Sequence, residues 1–208
     1  MGGTGFPTLM FLDPEGRKIM KYQGPRNVKG FEEELGNIDD YMMLLHKVKE
    51  GDKTLAGRLL IRQIELDMLS FDEVKERMRS LEKIHADQLR QDSGSTNKKR
   101  IEAEKQHLAK LIVDVEVRSM VLKAGSSDEK HLEAAKHFHD MWKKENRLPT
   151  GDAAHYEFWR HVAHYADVEG DKKLFQEVVE QYRKYLGKSQ NYSRMLPLLE
   201  RRLEEWDG

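Results

Sequence analysis

Ser70-Phe-Asp-Glu-Val-Lys-Glu-Arg-Met-Arg-Ser-Leu-Glu-Lys-Ile84 is the stretch whose reading decides the fold. Ser70 and Glu73 have the spacing of a capping box, in which the serine oxygen and the glutamate carboxylate satisfy free backbone donors at a helix start. Behind the box, Val74, Met78, Leu81 and Ile84 recur in steps of three and four, so one stripe of a highly charged segment is apolar. The stretch is an amphipathic helix that opens at Ser70. The same periodicity extends on both sides. Upstream, Ile38, Met42, Leu45 and Val48 mark a helix closed by Gly51, and Leu55, Leu59, Ile61, Ile64 and Met68 mark one over 53–69. Downstream, Asp92-Ser-Gly-Ser-Thr-Asn97 reads as a polar loop, and Lys98 begins a long helix through Leu108, Leu111, Ile112, Val115 and Leu122 that Gly125 ends. Ser126-Ser-Asp-Glu129 reads as a second capping box, opening a helix with Leu132, Ala135, Phe138 and Trp142. After the break Leu148-Pro-Thr-Gly151, helices are expected over 153–168, 172–186 and 193–206.

The composition agrees. Of 208 residues, 35% are charged, against roughly 25% in an ordinary globular chain, and only five are proline. Both features favour long, solvated helices, and the length suffices for a real core. Lys plus Arg and Asp plus Glu nearly cancel, leaving a net charge of −1, which argues against a dedicated nucleic-acid or anionic-membrane binder. With no cysteine there is no disulfide, no thiolate-bound zinc, no iron–sulfur cluster and no thiol nucleophile. No apolar run approaches the ~20 residues of a membrane-spanning helix. Met1–Pro7 lacks the basic and apolar regions of a signal peptide, and no compartment is assigned. No phosphate-binding loop, dinucleotide fingerprint or serine nucleophile elbow occurs, so no cofactor and no catalytic residue are assigned.

Short breaks between amphipathic helices imply antiparallel helical hairpins. Gly51-Asp-Lys53 and Gly170-Asp-Lys172 echo one another at helix junctions. Residues 38–208 therefore read as one α-helical, repeat-like domain, similar in architecture to tetratricopeptide-type arrays although that repeat's Trp, Leu-Gly and Tyr positions do not recur at a fixed period.

Residues 1–37 read differently. Thr8-Leu-Met-Phe-Leu12 has the continuous apolar pattern of a strand buried on both faces. Asp13-Pro-Glu-Gly16 is a turn, and Lys18-Ile-Met-Lys-Tyr22 a more polar strand expected at a sheet edge. Gly24-Pro25 breaks it, and Asn27 caps a helix carrying Val28, Phe31 and Leu35. Two strands and a helix are too few for an independent sheet, so they dock on the remainder or belong to something longer.

Gly5-Phe-Pro-Thr8, the turn at Gly16, the edge strand, Gly24 and the helix through Phe31 and Leu35 together resemble the C-terminal part of a thioredoxin-like domain. Pro7 matches that family's cis-proline, Thr8 follows it, and Gly16 and Gly24 match its hairpin and post-strand glycines. The resemblance covers about a sixth of the chain. It implies that Phe6, Pro7 and Thr8 would bind a substrate peptide beside a Cys-x-x-Cys pair. That pair would lie upstream, and its absence leaves the chain as given without thiol–disulfide exchange. The expectation is the C-terminal portion of a longer thioredoxin-family protein, truncated here, with a helical domain that binds protein or positions the redox domain. The alternative is a non-enzymatic helical scaffold that binds a protein or peptide, capped by the hairpin. The oligomeric state is left open.

Two sets of side chains bear on a site. Glu82-Lys-Ile-His85 and Glu104-Lys-Gln-His107 share the Glu-x-x-His spacing of di-iron bundles, but such a site needs a Glu from two further helices, and Glu82 and His107 fall on solvent faces. No metal is assigned. His131, His137 and His139 lie on one helix and His155, His161 and His164 on another, the latter interleaved with Tyr156, Phe158, Trp159 and Tyr165. That aromatic set forms a hairpin interface, or Tyr156, Trp159 and Tyr165 line a groove for a partner peptide, with Phe158 and Trp159 the best candidates for burial.

Overall fold

The computed structural model describes residues 10–12, 16, 18–22 and 27–206. Phe6, Pro7 and Thr8, expected to bind substrate by resemblance, lie outside the described residues, as does Gly24. Among the described residues the protein is mostly α-helical, with eight α-helices after a two-stranded antiparallel hairpin. It divides into two compact units, Met1–Leu108 and Ala109–Gly208.

In the first unit β1 (Met10–Leu12) pairs with β2 (Lys18–Lys21), Met10 opposite Lys21 and Phe11 opposite Met20. Gly16 has φ +79°, a conformation that favours glycine. The two strands exchange their expected roles. β1 was the strand to be buried on both faces, yet Met10 and Leu12 are 54% and 55% exposed and only Phe11 points inward. β2, the expected edge strand, buries Ile19 and Met20. β1 follows the pleat, with Phe11 inward between exposed Met10 and Leu12, whereas in β2 the neighbouring Ile19 and Met20 are both covered.

The hairpin docks on the helices that follow. Ile19 and Met20 join Ile38, Tyr41 and Leu44 of α1 (Val28–Lys49) and Leu59 of α2 (Ala56–Glu65) in one apolar cluster, and Tyr22 stacks on Phe31 at 4.4 Å. Asn27 caps α1 as expected, its side chain accepting from Gly30 N at 2.8 Å. α1 then runs unbroken through Gly36 and Asn37, where the sequence pattern suggested a break. An interior glycine costs a helix only about 1 kcal/mol, less than the burial of Ile38, Tyr41 and Leu44 returns. The helix expected over 53–69 is shorter: a 3-10 turn, Lys53–Leu55, precedes α2, and Asp67, with φ 55°, ends the segment. α3 (Phe71–Gln91) opens on the capping box read from sequence, with Ser70 N donating to Glu73 Oε2 at 2.8 Å and Glu73 N to Ser70 Oγ at 3.4 Å. α4 (Ser95–Ala124) starts three residues before the expected Lys98, and the division between the units falls within it.

The second unit adds α5 (Asp128–Lys143), α6 (Asp152–Val168), α7 (Lys172–Leu186) and α8 (Leu196–Glu205), each packed on the next. The expected capping box at Ser126 is displaced by one residue. Ser127 is the cap, accepting from Lys130 N at 3.4 Å, so Glu129 no longer stands at the position that reaches back. α6 starts at Gly151, which has no side chain to cap it. Asp114 of α4 instead holds the segment that enters the helix, accepting from Thr150 N at 2.7 Å, Thr150 Oγ1 at 2.9 Å and Gly151 N at 3.0 Å. The core is aromatic: Phe138 stacks on Phe158 at 5.3 Å, and Trp159 meets Phe158 and Trp142 edge-on at 4.9 Å.

Candidate functional site

Periodicity along α6 sets which of its aromatic side chains can serve a site. Phe158, Trp159, Val162 and Ala166 form its buried face. Trp159, read from sequence as a groove residue or a core one, is fully buried as is Phe158, and its Nε1 donates to His155 Nδ1 at 3.2 Å, so it is a core residue and not a surface one. Burial in turn pushes the His155 pKa down. Tyr156 and Tyr165 flank that face, half-buried. Tyr156 stacks on Tyr192 at 4.9 Å, and Tyr165 lies against His139 at 5.4 Å. The three aromatic candidates are therefore not brought together.

What α6 does present is a cleft of about 450 Å³ shared with the start of α5, with α7 and with α8. Ala163, Phe175 and Leu199 supply buried apolar walls, Met195 is half-buried, and Leu198 stands 51% exposed. Around them lie Asp128, His131, Arg160, His161, His164 and Asp167, with Arg202 reaching over from α8. Arg202 donates from Nε and Nη2 to Asp167 Oδ1 at 3.0 and 2.8 Å, and from Nη1 to Glu205 at 3.1 Å. Arg160 donates to Glu157 at 2.7 Å. The rim charges are thus fixed in place by neighbours of opposite sign. The lining thus combines apolar surface with three histidines, two aspartates and two arginines.

Sequence reading placed His161 and His164 on one helix face, and both line this cleft. It missed Phe175, Met195, Leu198 and Leu199. The available signal was Leu196-Pro-Leu-Leu199, which opens α8 with more apolar residues than one stripe requires.

The two Glu-x-x-His pairs are split by the fold. His85 and Glu104 are buried together with Nε2 and Oε2 3.0 Å apart, and Arg100 donates to the other Glu104 oxygen at 2.9 Å. Burial pushes the His85 pKa down, against the pull of Glu104, so a neutral imidazole faces an ion pair that already balances its own charge. His107 lies instead 3.6 Å from Glu65. Among the described residues no three His, Asp or Glu side chains converge to hold a metal ion.

A second histidine–glutamate contact lies in the second unit. His137 Nε2 is 2.9 Å from Glu116 Oε1, and Arg147 donates to Glu116 Oε2. Burial opposes ionisation of Glu116, but the hydrogen bonds from His137 and Arg147 outweigh it and hold that carboxyl below its usual range. The bond to Glu116 lifts His137 above its ordinary value despite partial burial. The raised histidine contributes stability that is present below about pH 6.5 and is lost as pH rises through its folded value. The lowered carboxyl contributes above its ordinary range and loses that contribution in acid.

No helix among the described residues is long and apolar enough to cross a membrane. Compared with models of known protein families, with curated proteins and with solved structures, the chain matches none.

Proposed function

We propose that the chain is a non-enzymatic protein-binding scaffold whose second unit docks a short segment of a partner protein in the cleft between α6 and α8. The observation that carries this reading is Leu198. It is a large aliphatic side chain left half in solvent beside buried apolar walls, inside a ring of fixed charges of both signs. An apolar centre with a polar rim is the anatomy of a recognition surface. The partner segment it fits carries one apolar side chain for the Phe175–Leu198–Leu199 wall, flanked by polar or charged residues for the arginines and carboxylates. Selection from a displayed random-peptide library tests this. The wild-type chain is expected to enrich peptides that share an apolar anchor, and Leu198→Glu is expected to weaken them at least tenfold, about 1.4 kcal/mol. Peptides that bind Leu198→Glu equally well, or no enrichment, would remove the cleft from the account.

A second reading, a thioredoxin-like segment, is favoured by β1. Met10 and Leu12 are exposed on a strand of a hairpin that leads into a helix, as in a sheet that continues on the far side of that strand. Leu12→Cys tests it, because this thiol would be the only one in the 208 residues. If further strands cover β1 in the working protein, a maleimide labels Cys quickly in the purified chain and slowly in cells. Equal rates in both settings would discard the reading.

A further inference from the structure

Three hydrogen-bond distances at the wall of the cleft form a continuous chain between two backbone carbonyls. Gly125 O lies 3.0 Å from His131 Nε2, His131 Nδ1 lies 2.9 Å from His161 Nε2, and His161 Nδ1 lies 2.7 Å from Glu157 O. Both ends of this chain are carbonyl oxygens, which only accept. Three links need three protons, whereas two neutral imidazoles carry two. We infer that His131 and His161 together form a proton-binding site: the chain is complete only when the pair holds one added proton and a single positive charge.

The placement of that charge follows from burial. His161 is almost wholly enclosed, and desolvation pushes its pKa down. His161 is then the neutral ring, donating from Nδ1 to Glu157 O and accepting at Nε2. His131, half-buried at the cleft, is the imidazolium and donates from both nitrogens. The surroundings suit a cation there. Asp128 stands one turn earlier on α5, Glu157 Oε2 lies 3.7 Å from His161 Nδ1, and Asp167, Arg160, His164 and Arg202 complete the charged and titratable lining from α6 and α8. Gly125 O, just past the last residue of α4, also lies at the negative end of that helix.

Loss of the proton leaves no neutral arrangement with all three links. If His131 keeps its proton on Nε2, two ring lone pairs face each other at the 2.9 Å contact. If it keeps the proton on Nδ1, a lone pair faces the Gly125 carbonyl. One link opens, and the turn between α4 and α5 is no longer tied through His131 to α6. The chain of three links is complete with the added proton and one link short without it, so the contribution of this tie falls as the proton is lost.

Ring 15N spectra of the full chain at about pH 5.5 and about pH 8 test the site, the interval in which imidazoles change charge. At the lower pH, His131 is expected to show two protonated nitrogens and His161 one. At the higher pH, His131 is expected to lose one proton, with amide protection over residues 125–131 falling about tenfold. His131→Phe keeps a ring in place but cannot carry the charge, and is expected to abolish that pH dependence of protection. Two neutral rings at the lower pH, or the same loss of protection in His131→Phe, would overturn the inference. Should the variant not fold, the wild-type ring spectra decide alone.

Discussion

Trp159→Ala is expected to destabilise the second unit by about 3–5 kcal/mol, the range for truncating a fully buried large aromatic side chain. Three losses combine. The indole fills the space between Phe158 and Trp142, both in edge-on contact at 4.9 Å, so its removal leaves a cavity that two rigid rings cannot collapse into. Its Nε1–H is the donor to His155 Nδ1, and the buried imidazole is left without it. Tyr185, stacked on His155 at 4.3 Å, rests on the same group. Urea unfolding followed by circular dichroism checks this. The contrast is with Tyr165→Ala, half-buried on the flank of α6, for which a substantially smaller loss is expected. A loss below about 1 kcal/mol for Trp159→Ala would show that α6 does not pack as described.

Glu104→Ala is expected to cost the first unit about 1–3 kcal/mol, because it removes the acceptor that a buried imidazole and a partly exposed arginine share. Arg100 loses its partner at 2.9 Å but keeps Thr54 O, Gln88 and Asn97, whereas the buried His85 loses its partner at 3.0 Å. The carboxylate also lies directly against Gly57 of α2, where a methyl group would overlap it. Glu104→Gln keeps the shape and a hydrogen-bonding oxygen but loses the charge that Arg100 requires, and is expected to fall between wild type and Glu104→Ala. Chemical denaturation of the three proteins under one buffer gives the order. Equal stability of Glu104→Ala and wild type would mean that burial of the Arg100–Glu104–His85 group contributes nothing, contrary to its hydrogen bonding.

Local signals were legible in the sequence and long-range ones were not. Ser70 and Glu73 are three residues apart and satisfy each other, so the start of α3 could be read from four letters. Asp114 holds the entry to α6 from 36 residues away, and nothing around Gly151 announces it. Ser126 and Ser127 present the same cap chemistry to the next helix, and which of them starts α5 depends on how the chain leaves α4 at Gly125. His85 and Glu104 were visible as halves of two motifs. Their pairing crosses from α3 to α4, so the unit that matters was not either motif but one residue from each. The aromatic run on α6 marked a packed region correctly, but periodicity assigns Trp159 to the core and leaves recognition to Leu198 and its neighbours on α8. In the N-terminal segment, residue types described two strands, whereas which of their faces are covered depends on contacts with α1 and α2 that lie outside the segment.

The most direct measurement of the cleft's role is amide and methyl NMR of the full chain titrated with an apolar-anchored peptide selected on the wild-type protein. The account predicts perturbations concentrated at Phe175, Met195, Leu198, Leu199 and Arg202, and their absence in Leu198→Glu. Perturbations centred on Met10 and Leu12 of β1, or an unchanged map in Leu198→Glu, would contradict it.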